Sequence, residues 1–238
     1  MSVAQDAVGN NDTYTSVDQI TGHLITGDLY GGQATGGGKA EGNTITLSIK
    51  DETNKIPGNV YVGHATGGNV VDNKLIITKD SSIKVDVARN LYAGYLNTTK
   101  TAMGLTVTGN SILVEDGAVV DLGTTYRLIA AEAKVPYSSS QEPDSMTGNT
   151  VTVGVGAKVT GQVIAARGFA ERFSENSVEI QGEVTGNVYG TESLTPYQST
   201  LAPTFSDISV TLKNATIGGN VLAVNSTRAA TIENLWVS

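Results

Sequence analysis

The phrase Gly58-Asn59-Val60-Tyr61-Val62-Gly63 returns along the whole chain, and few folds accept a sequence that repeats itself in this way. Copies read Gly27-Asp28-Leu29-Tyr30-Gly31, Arg89-Asn90-Leu91-Tyr92-Ala93, Gly161-Gln162-Val163-Ile164-Ala165, Gly186-Asn187-Val188-Tyr189-Gly190 and Gly219-Asn220-Val221-Leu222-Ala223, with Tyr126-Arg127-Leu128-Ile129-Ala130 as a weaker member. Counted from the polar second position (28, 59, 90, 127, 162, 187 and 220), the intervals are 31, 31, 37, 35, 25 and 33 residues. A unit of this size cannot bury a hydrophobic face alone. It must stack on its neighbours, so the near-constant period predicts a solenoid.

A second recurrent stretch lies between the anchors. Thr44-Ile45-Thr46-Leu47-Ser48-Ile49, Thr150-Val151-Thr152-Val153 and Asp207-Ile208-Ser209-Val210-Thr211-Leu212 place apolar residues on one side and mostly hydroxyls on the other, the period of a strand with one buried face. Residues 74–78, 111–114, 177–180 and 231–235 fill the same slot less regularly, and Asn43, Asn73, Asn110, Asn149 and Asn176 introduce these strands as turn residues. A polar turn then leads to the next anchor. Like residues stack on like at a strand spacing of about 4.8 Å, so about seven coils make a rod of roughly 34 Å. The expected core joins Ile45, Leu47, Ile77, Ile112, Val151, Val153, Val178, Ile180, Ile208 and Val210 to Val60, Leu91, Val163, Val188 and Val221 in one column. The expected ladders are Asn59, Asn90, Asn187 and Asn220, and Tyr30, Tyr61, Tyr92 and Tyr189. With Val pointing inward the tyrosines form an outer ladder, read either as cross-strand packing or as an aromatic strip for stacking on sugars. Residues 1–238 read as one domain, with 1–16 a lead-in or cap and 17–238 the coils.

Coil length varies mainly after the anchor strand, over residues 32–43, 94–109, 131–149, 167–176 and 191–206, which a parallel solenoid puts on one flank. All three Phe lie in or at the edge of these insertions. Tyr137, Phe169, Phe173, Tyr197 and Phe205 therefore either pack under the insertions or serve as contact anchors for a partner. The echo of Pro136-Tyr137-Ser138 in Pro196-Tyr197-Gln198 favours Tyr137 and Tyr197 as contacts. Phe169 and Phe173, four apart, suggest one helical turn within 168–176, and 128–134 also reads as helix.

A net charge of −8 argues against nucleic acid and anionic membrane surfaces. No run of about 18 apolar residues is present to span a bilayer. Without Cys there are neither disulfides nor thiolate metal sites. Residues 1–10 lack a signal-peptide pattern, which suits an intracellular protein or a mature or excised segment. His23 and His64 read as polar turn residues; Asp51, Asp80 and Asp116 read as solvated corners able to hold Ca²⁺ weakly. No cofactor or metal centre is expected, and no catalytic residue is assigned. Asp207 and Glu179, in consecutive coils, are the one acid pair to weigh for glycoside hydrolysis, which needs carboxyl groups about 5 to 9.5 Å apart. The Gly-rich runs lack the Lys-Ser/Thr ending of a nucleotide loop.

The alternation of Asn-Val-Tyr-Gly (Asn187 to Gly190) with Gly-Asn-Thr-Val-Thr-Val (Gly148 to Val153), spaced by Gly-rich stretches such as Gly31-Gly32-Gln33-Ala34-Thr35-Gly36, resembles the passenger domains of Gram-negative autotransporter adhesins. The resemblance covers most of the chain and implies a right-handed parallel β-helix at the cell surface, extracellular and non-enzymatic, working in adhesion or cell–cell interaction. The secretion signal and translocator barrel of that family are not in this sequence, so the chain is expected to be a fragment or a mature subunit. Its expected partner is a host or bacterial surface ligand, glycan or protein, or a copy of itself through head-to-tail or lateral assembly. Two alternatives stand beside it: a self-assembling extracellular filament or surface-layer subunit, and a polysaccharide-degrading β-helix such as a phage spike. Reading the residues alone leaves all three open.

Overall fold

The computed structural model describes residues 5–50, 53–86, 89–98, 104–134, 143–194, 202–227 and 229–238. Its strands run parallel in three sheets of seven, six and fourteen strands. The anchors make the seven-stranded sheet: Leu29–Ala34, Val60–Ala65, Leu91–Asn97, Arg127–Lys134, Gln162–Gly168, Val188–Ser193 and Val221–Ser226. Register aligns Leu29, Val60, Leu91, Leu128, Val163, Val188 and Val221 one above another, so the chain is a parallel β-solenoid of seven coils.

The alternating strands form one arm of the fourteen-stranded sheet, including Thr44–Leu47, Lys74–Ile77, Ser111–Val114, Thr150–Val153 and Ser177–Ile180. A second arm, which the sequence reading leaves as loop, holds Ala40–Glu41, Val70–Val71, Thr106–Thr108, Ser145–Thr147 and Arg172–Ser174. Both arms run together in Thr204–Leu212, on which Thr231–Val237 also pairs. The expected polar turns are present, with positive φ at Asp80, Gly117, Gly156 and Asn214, but between turn and anchor lies a third sheet that the sequence reading misses: Lys55–Ile56, Ser82–Val85, Val119–Asp121, Lys158–Thr160, Glu183–Val184 and Thr216–Ile217. Most of the strands in the second arm and the third sheet have two or three residues, too few to display a period.

One corner repeats in every coil. Gly42, Asp72, Gly109, Gly148, Glu175, Asp207 and Asn234 all have φ between 51° and 67° and join the two arms. This left-handed step turns the chain inward and drops the next residue into the interior, where Asn43, Asn73, Asn110, Asn149 and Asn176 are fully buried. The first four donate their backbone N–H and side-chain Nδ2 to the Oδ1 of the next Asn, for example Asn73 to Asn110 at 3.2 and 2.9 Å. The column ends with Asn176 against the Thr191 hydroxyl at 3.5 Å. Backbone polar groups of the turn that would otherwise lack water thus keep partners.

This Asn column divides the interior, and the single expected core is in fact two. The larger compartment holds Ile45, Leu47, Ile77, Ile112, Val151, Val153, Val178, Ile180 and Val210 with Val60, Leu91, Val163 and Val188, as expected. The smaller holds Val70, Val107, Met146, Phe173, Phe205 and Ile208 with Ala34, Ala65, Ala131 and Ala166. Each Ile or Leu so buried is worth about 1.5 to 3 kcal/mol.

Two helix expectations fail. Residues 128–134 lie in the strand Arg127–Lys134, hydrogen-bonded on both sides, and residues 172–174 in 168–176 form another strand. The stacking of neighbours overrides the helical preference of Ala131-Glu132-Ala133. The described helix, Val17–Thr21, takes the place of a short-sheet strand in the first coil. Ser16 caps it, and Val17 and Ile20 close the N-terminal end of the core. The expected lead-in 1–16 already contains two strands, Ala7–Val8 and Asn11–Tyr14, paired to the first full coil. The longest connections begin at the C-terminal ends of the anchor strands, after Asn97, Lys134 and Ser193, and the flank expected to carry the insertions lies largely outside the described residues.

Candidate functional site

The outer face of the anchor sheet carries a cluster of aromatic and ionisable groups. Within Leu91–Asn97, Leu91 and Ala93 point into the core while Tyr92 points out. Gly94 follows and is also inward, pressed against the Asn110 amide, where a Cβ would come within 2.5 Å of it. Two inward residues in succession reset the alternation, so Tyr95 joins Tyr92 on the outer face. The result is two parallel columns three residues apart. One reads Tyr30, Tyr61, Tyr92, Ile129, Ile164, Tyr189 and Leu222; the other Gln33, His64, Tyr95, Glu132, Arg167, Glu192 and Asn225.

The tyrosine column is an outer ladder, and its rings stack on each other. Tyr30 to Tyr61 is 5.2 Å at 19°, and Tyr61 to Tyr92 is 4.9 Å at 6°. A ring sandwiched in this way has no free face to offer a sugar. Tyr61 is covered on both faces by tyrosines, Tyr92 lies between Tyr61 and Ile129, and Tyr189 lies between Ile164 and Leu222, so the geometry favours packing over an aromatic strip. Burial, followed by the neighbouring Tyr95 at Tyr61 and Glu132 at Tyr92 and Tyr95, pushes these phenols well above their usual range.

His64 lies in strand Val60–Ala65, not in a turn, and is buried among Tyr30, Tyr61 and Tyr95 with ring centroids 5.4 to 5.5 Å away. Its Nδ1 has no hydrogen-bond partner. Burial drives its pKa down to about 4, against a small opposing pull from Asp28, so the ring is neutral at pH 7.

Lower in the same column, Arg167 is lodged between two carboxylates. Its Nη1 donates to Glu132 at 2.9 Å and its Nε to Glu192 at 2.6 Å, and Asn225 Nδ2 reaches Glu192 at 3.4 Å. Burial raises the Glu132 pKa, with Arg167 opposing. Burial pulls at Arg167 too, but the two carboxylates hold its pKa above the ordinary value. A sequence reading that stops at the tyrosines misses this column. Aligning the anchors at Tyr plus three exposes it, because that position is polar or aromatic in every copy while most of its neighbours are Gly, Ala, Ser or Thr.

Beside the tyrosines runs the anchor Asn column. Asn59 N–H donates to Asp28 Oδ1 at 2.8 Å, Asn90 N–H to Asn59 at 2.9 Å and Asn220 N–H to Asn187 at 2.8 Å. Arg127 and Gln162 interrupt it in the middle coils, and Asn90 Nδ2 also donates to the Tyr92 hydroxyl at 2.9 Å.

The candidate contact aromatics are distributed otherwise. Phe173 and Phe205 stack at 5.2 Å inside the smaller compartment with no exposed surface, and Phe169 is buried against Leu105 and Leu194. As contact anchors these three are corrected: the inward parity of Arg172–Ser174 and Thr204–Leu212 makes Phe173 and Phe205 core, and Phe169, just past the strand Gln162–Gly168, is buried in a small separate cluster. Tyr137 and Tyr197 lie outside the described residues. The acid pair also fails. Glu179 faces Thr211 and is held by Lys213 Nζ at 2.7 Å, whereas Asp207 sits at the corner and accepts from Asn234 at 3.1 Å. Among the described residues no group of three or more acidic, His or Cys side chains is arranged to hold a metal. No described helix is long and apolar enough to cross a membrane.

Comparison of the chain with family models, with curated proteins and with solved structures finds no match.

Proposed function

We propose that the chain is a non-enzymatic extracellular surface protein, a β-solenoid rod that works in adhesion or cell–cell interaction. The observation that carries this reading is the seating of Arg167 between Glu132 and Glu192. In the column where a polysaccharide-cleaving site would need an acid and a base facing open space, the guanidinium fills the gap and binds both. The ionisable groups there tie coils together. Such a rod meets its partner on a broad face, and the resemblance to autotransporter passengers supports a glycan or protein of a cell surface as that partner.

The test is incubation of the purified chain with a panel of bacterial and host polysaccharides and with intact cells, following both retention and release of reducing ends. Retention on cells or glycans without release is expected. Steady release that disappears in Glu132→Gln would replace this reading with the enzymatic one.

A further inference from the structure

The corner that joins the alternating arm to the short sheet differs in length from coil to coil. Val114, Val153, Ile180 and Leu212 stack in one inner column, and Val120, Val159, Val184 and Ile217 in the next. Between the two columns run five residues at 115–119, five at 154–158, three at 181–183 and four at 213–216. The short corner 181–183 is therefore recessed between longer neighbours. A notch of about 510 Å³ opens over it in the middle of the rod, lined by Val155, Lys158, Gln181, Glu183, Asn214 and Thr216. A smaller dent of about 280 Å³ lies around the corner on the alternating side, beside Leu113, Glu115, Thr152 and Gln181. Gln181 belongs to both depressions, and Val155, 59% exposed between Gly154 of the dent and Gly156 of the notch, is the crest that divides them.

The floors stay open because no side chain fits there. A Cβ on Gly154 would come within 2.5 Å of Asp116 Oδ1, and one on Gly182 closer still to the Ala157 carbonyl oxygen. The same Asp116 oxygen accepts the Val155 N–H at 2.8 Å and holds the crest in place. The chemistry of the walls then selects a ligand. Lys158 Nζ meets Glu183 at 3.0 Å, and Lys213 Nζ meets Glu179 at 2.7 Å, so these charges answer each other. Glu179 also accepts from Gln181 Nε2 at 2.6 Å, which leaves the second N–H and the Oε1 of Gln181 for a ligand. Glu115 gives one carboxylate oxygen to the Lys79 N–H at 2.8 Å, as Asp116 does to Val155, and each keeps its other oxygen as an acceptor. An anion would face those two carboxylates. A neutral polyol instead finds acceptors for its hydroxyl protons, donors on Gln181, Asn214, Thr152 and Thr216, and apolar surface on Val155 and Leu113 for its C–H faces.

We propose that this corner binds a neutral oligosaccharide, with one sugar unit in the notch and the next in the dent, joined across Gln181. The notch falls within the range of about 300 to 1,000 Å³ usual for ligand clefts, and the dent, too small alone, extends it. Both are open, which suits a stretch of polymer rather than an enclosed monosaccharide. The dent adjoins the outer face of the alternating arm, onto which Leu113 and Thr152 project, so a longer glycan continues along that face. The choice of partner rests on the adhesive reading; the notch and its chemistry do not.

The experiment is a chemical-shift titration of the ¹⁵N-labelled chain with hexasaccharides of glucose, mannose, galactose and N-acetylglucosamine, and with an oligogalacturonate as the anionic control. Saturable shifts with a neutral hexasaccharide are expected at 154–157 and 181–183, and none there with the oligogalacturonate. Val155→Ser combined with Gln181→Ala, both changes at the surface, should weaken that binding about tenfold with the far-ultraviolet circular dichroism unchanged. Shifts confined to other parts of the rod, no saturable shift with any neutral sugar, equal binding of the oligogalacturonate, or a double variant that binds like the parent chain overturns the proposal. Cells supply the arm that separates the two readings. Equal retention of the parent chain and the double variant by cells overturns the site and leaves the adhesive reading standing. A parent chain that no cell holds, but whose corner shifts with an oligosaccharide, supports the site and overturns the adhesive reading.

Discussion

At the scale of single residues, His64 is the most exposed to a change of conditions, because nothing in its surroundings accommodates a charge. Its folded pKa of about 4 lies below the unfolded value of about 6.5. The stability contributed by the neutral ring is complete above the unfolded value and is lost as pH falls through the window to about 4. At pH 4.5 the loss is about 2.5 kcal/mol. Glu132, with its pKa raised by burial, has the opposite sign and softens the fall. The chain's melting temperature should drop between pH 7 and pH 4.5 by about 5 to 10 °C more than that of His64→Phe, which keeps a ring among Tyr30, Tyr61 and Tyr95 but cannot titrate. Equal drops in the two proteins would show that His64 is not the group responsible. His64 also marks a limit of reading from sequence: its type and flanking Gly63 suggest a turn, and only the reset of alternation at the Gly pair places it on a strand face.

At the scale of elements, legibility follows length and position in the repeat. The four-residue alternating strands and the anchors show in the sequence because their period is sustained and copied seven times. The short sheet does not, since Lys55–Ile56 or Glu183–Val184 alone has no pattern to see. Arg127–Lys134 reads as helix because Leu128 to Lys134 favours helix locally, and the columns Leu91–Leu128–Val163 and Tyr92–Ile129–Ile164 decide otherwise. The true helix, five residues, escapes notice for being short. It nevertheless has a clear task, since Ile20 is fully buried over the first coil. Ile20→Asp would set a carboxylate on the end of the core and uncap it. A loss of roughly 3 to 5 kcal/mol is expected, measured by urea denaturation, and Gln19→Ala on the exposed side should cost no more than about 1 kcal/mol. A neutral Ile20→Asp would mean that the first coil needs no cap.

At the scale of the whole molecule, the repeat count and the larger core compartment were legible almost to the residue, whereas the smaller compartment and the candidate site were not. Core positions are dictated by parity and period, which a sequence displays; partners across coils depend on register, which it does not. Glu132, Arg167 and Glu192 are 35 and 25 residues apart and meet only because insertions of unequal length leave the anchors aligned. A solenoid with so many contacts between adjacent coils and so few beyond them has a stability that is a sum over neighbours. Damage should therefore spread by coil rather than through the whole rod at once. Val188 is fully buried between Val163 and Val221, and Val188→Asp buries an unpaired charge there. Hydrogen exchange of that variant should lose protection first in Gln162–Gly168, Val188–Ser193 and Val221–Ser226, while Leu29–Ala34 and Val60–Ala65, several coils away and closed by the helix, keep theirs. Uniform loss along all seven anchor strands would show instead that the rod unfolds as one cooperative body, with coupling that reaches beyond the adjacent coil.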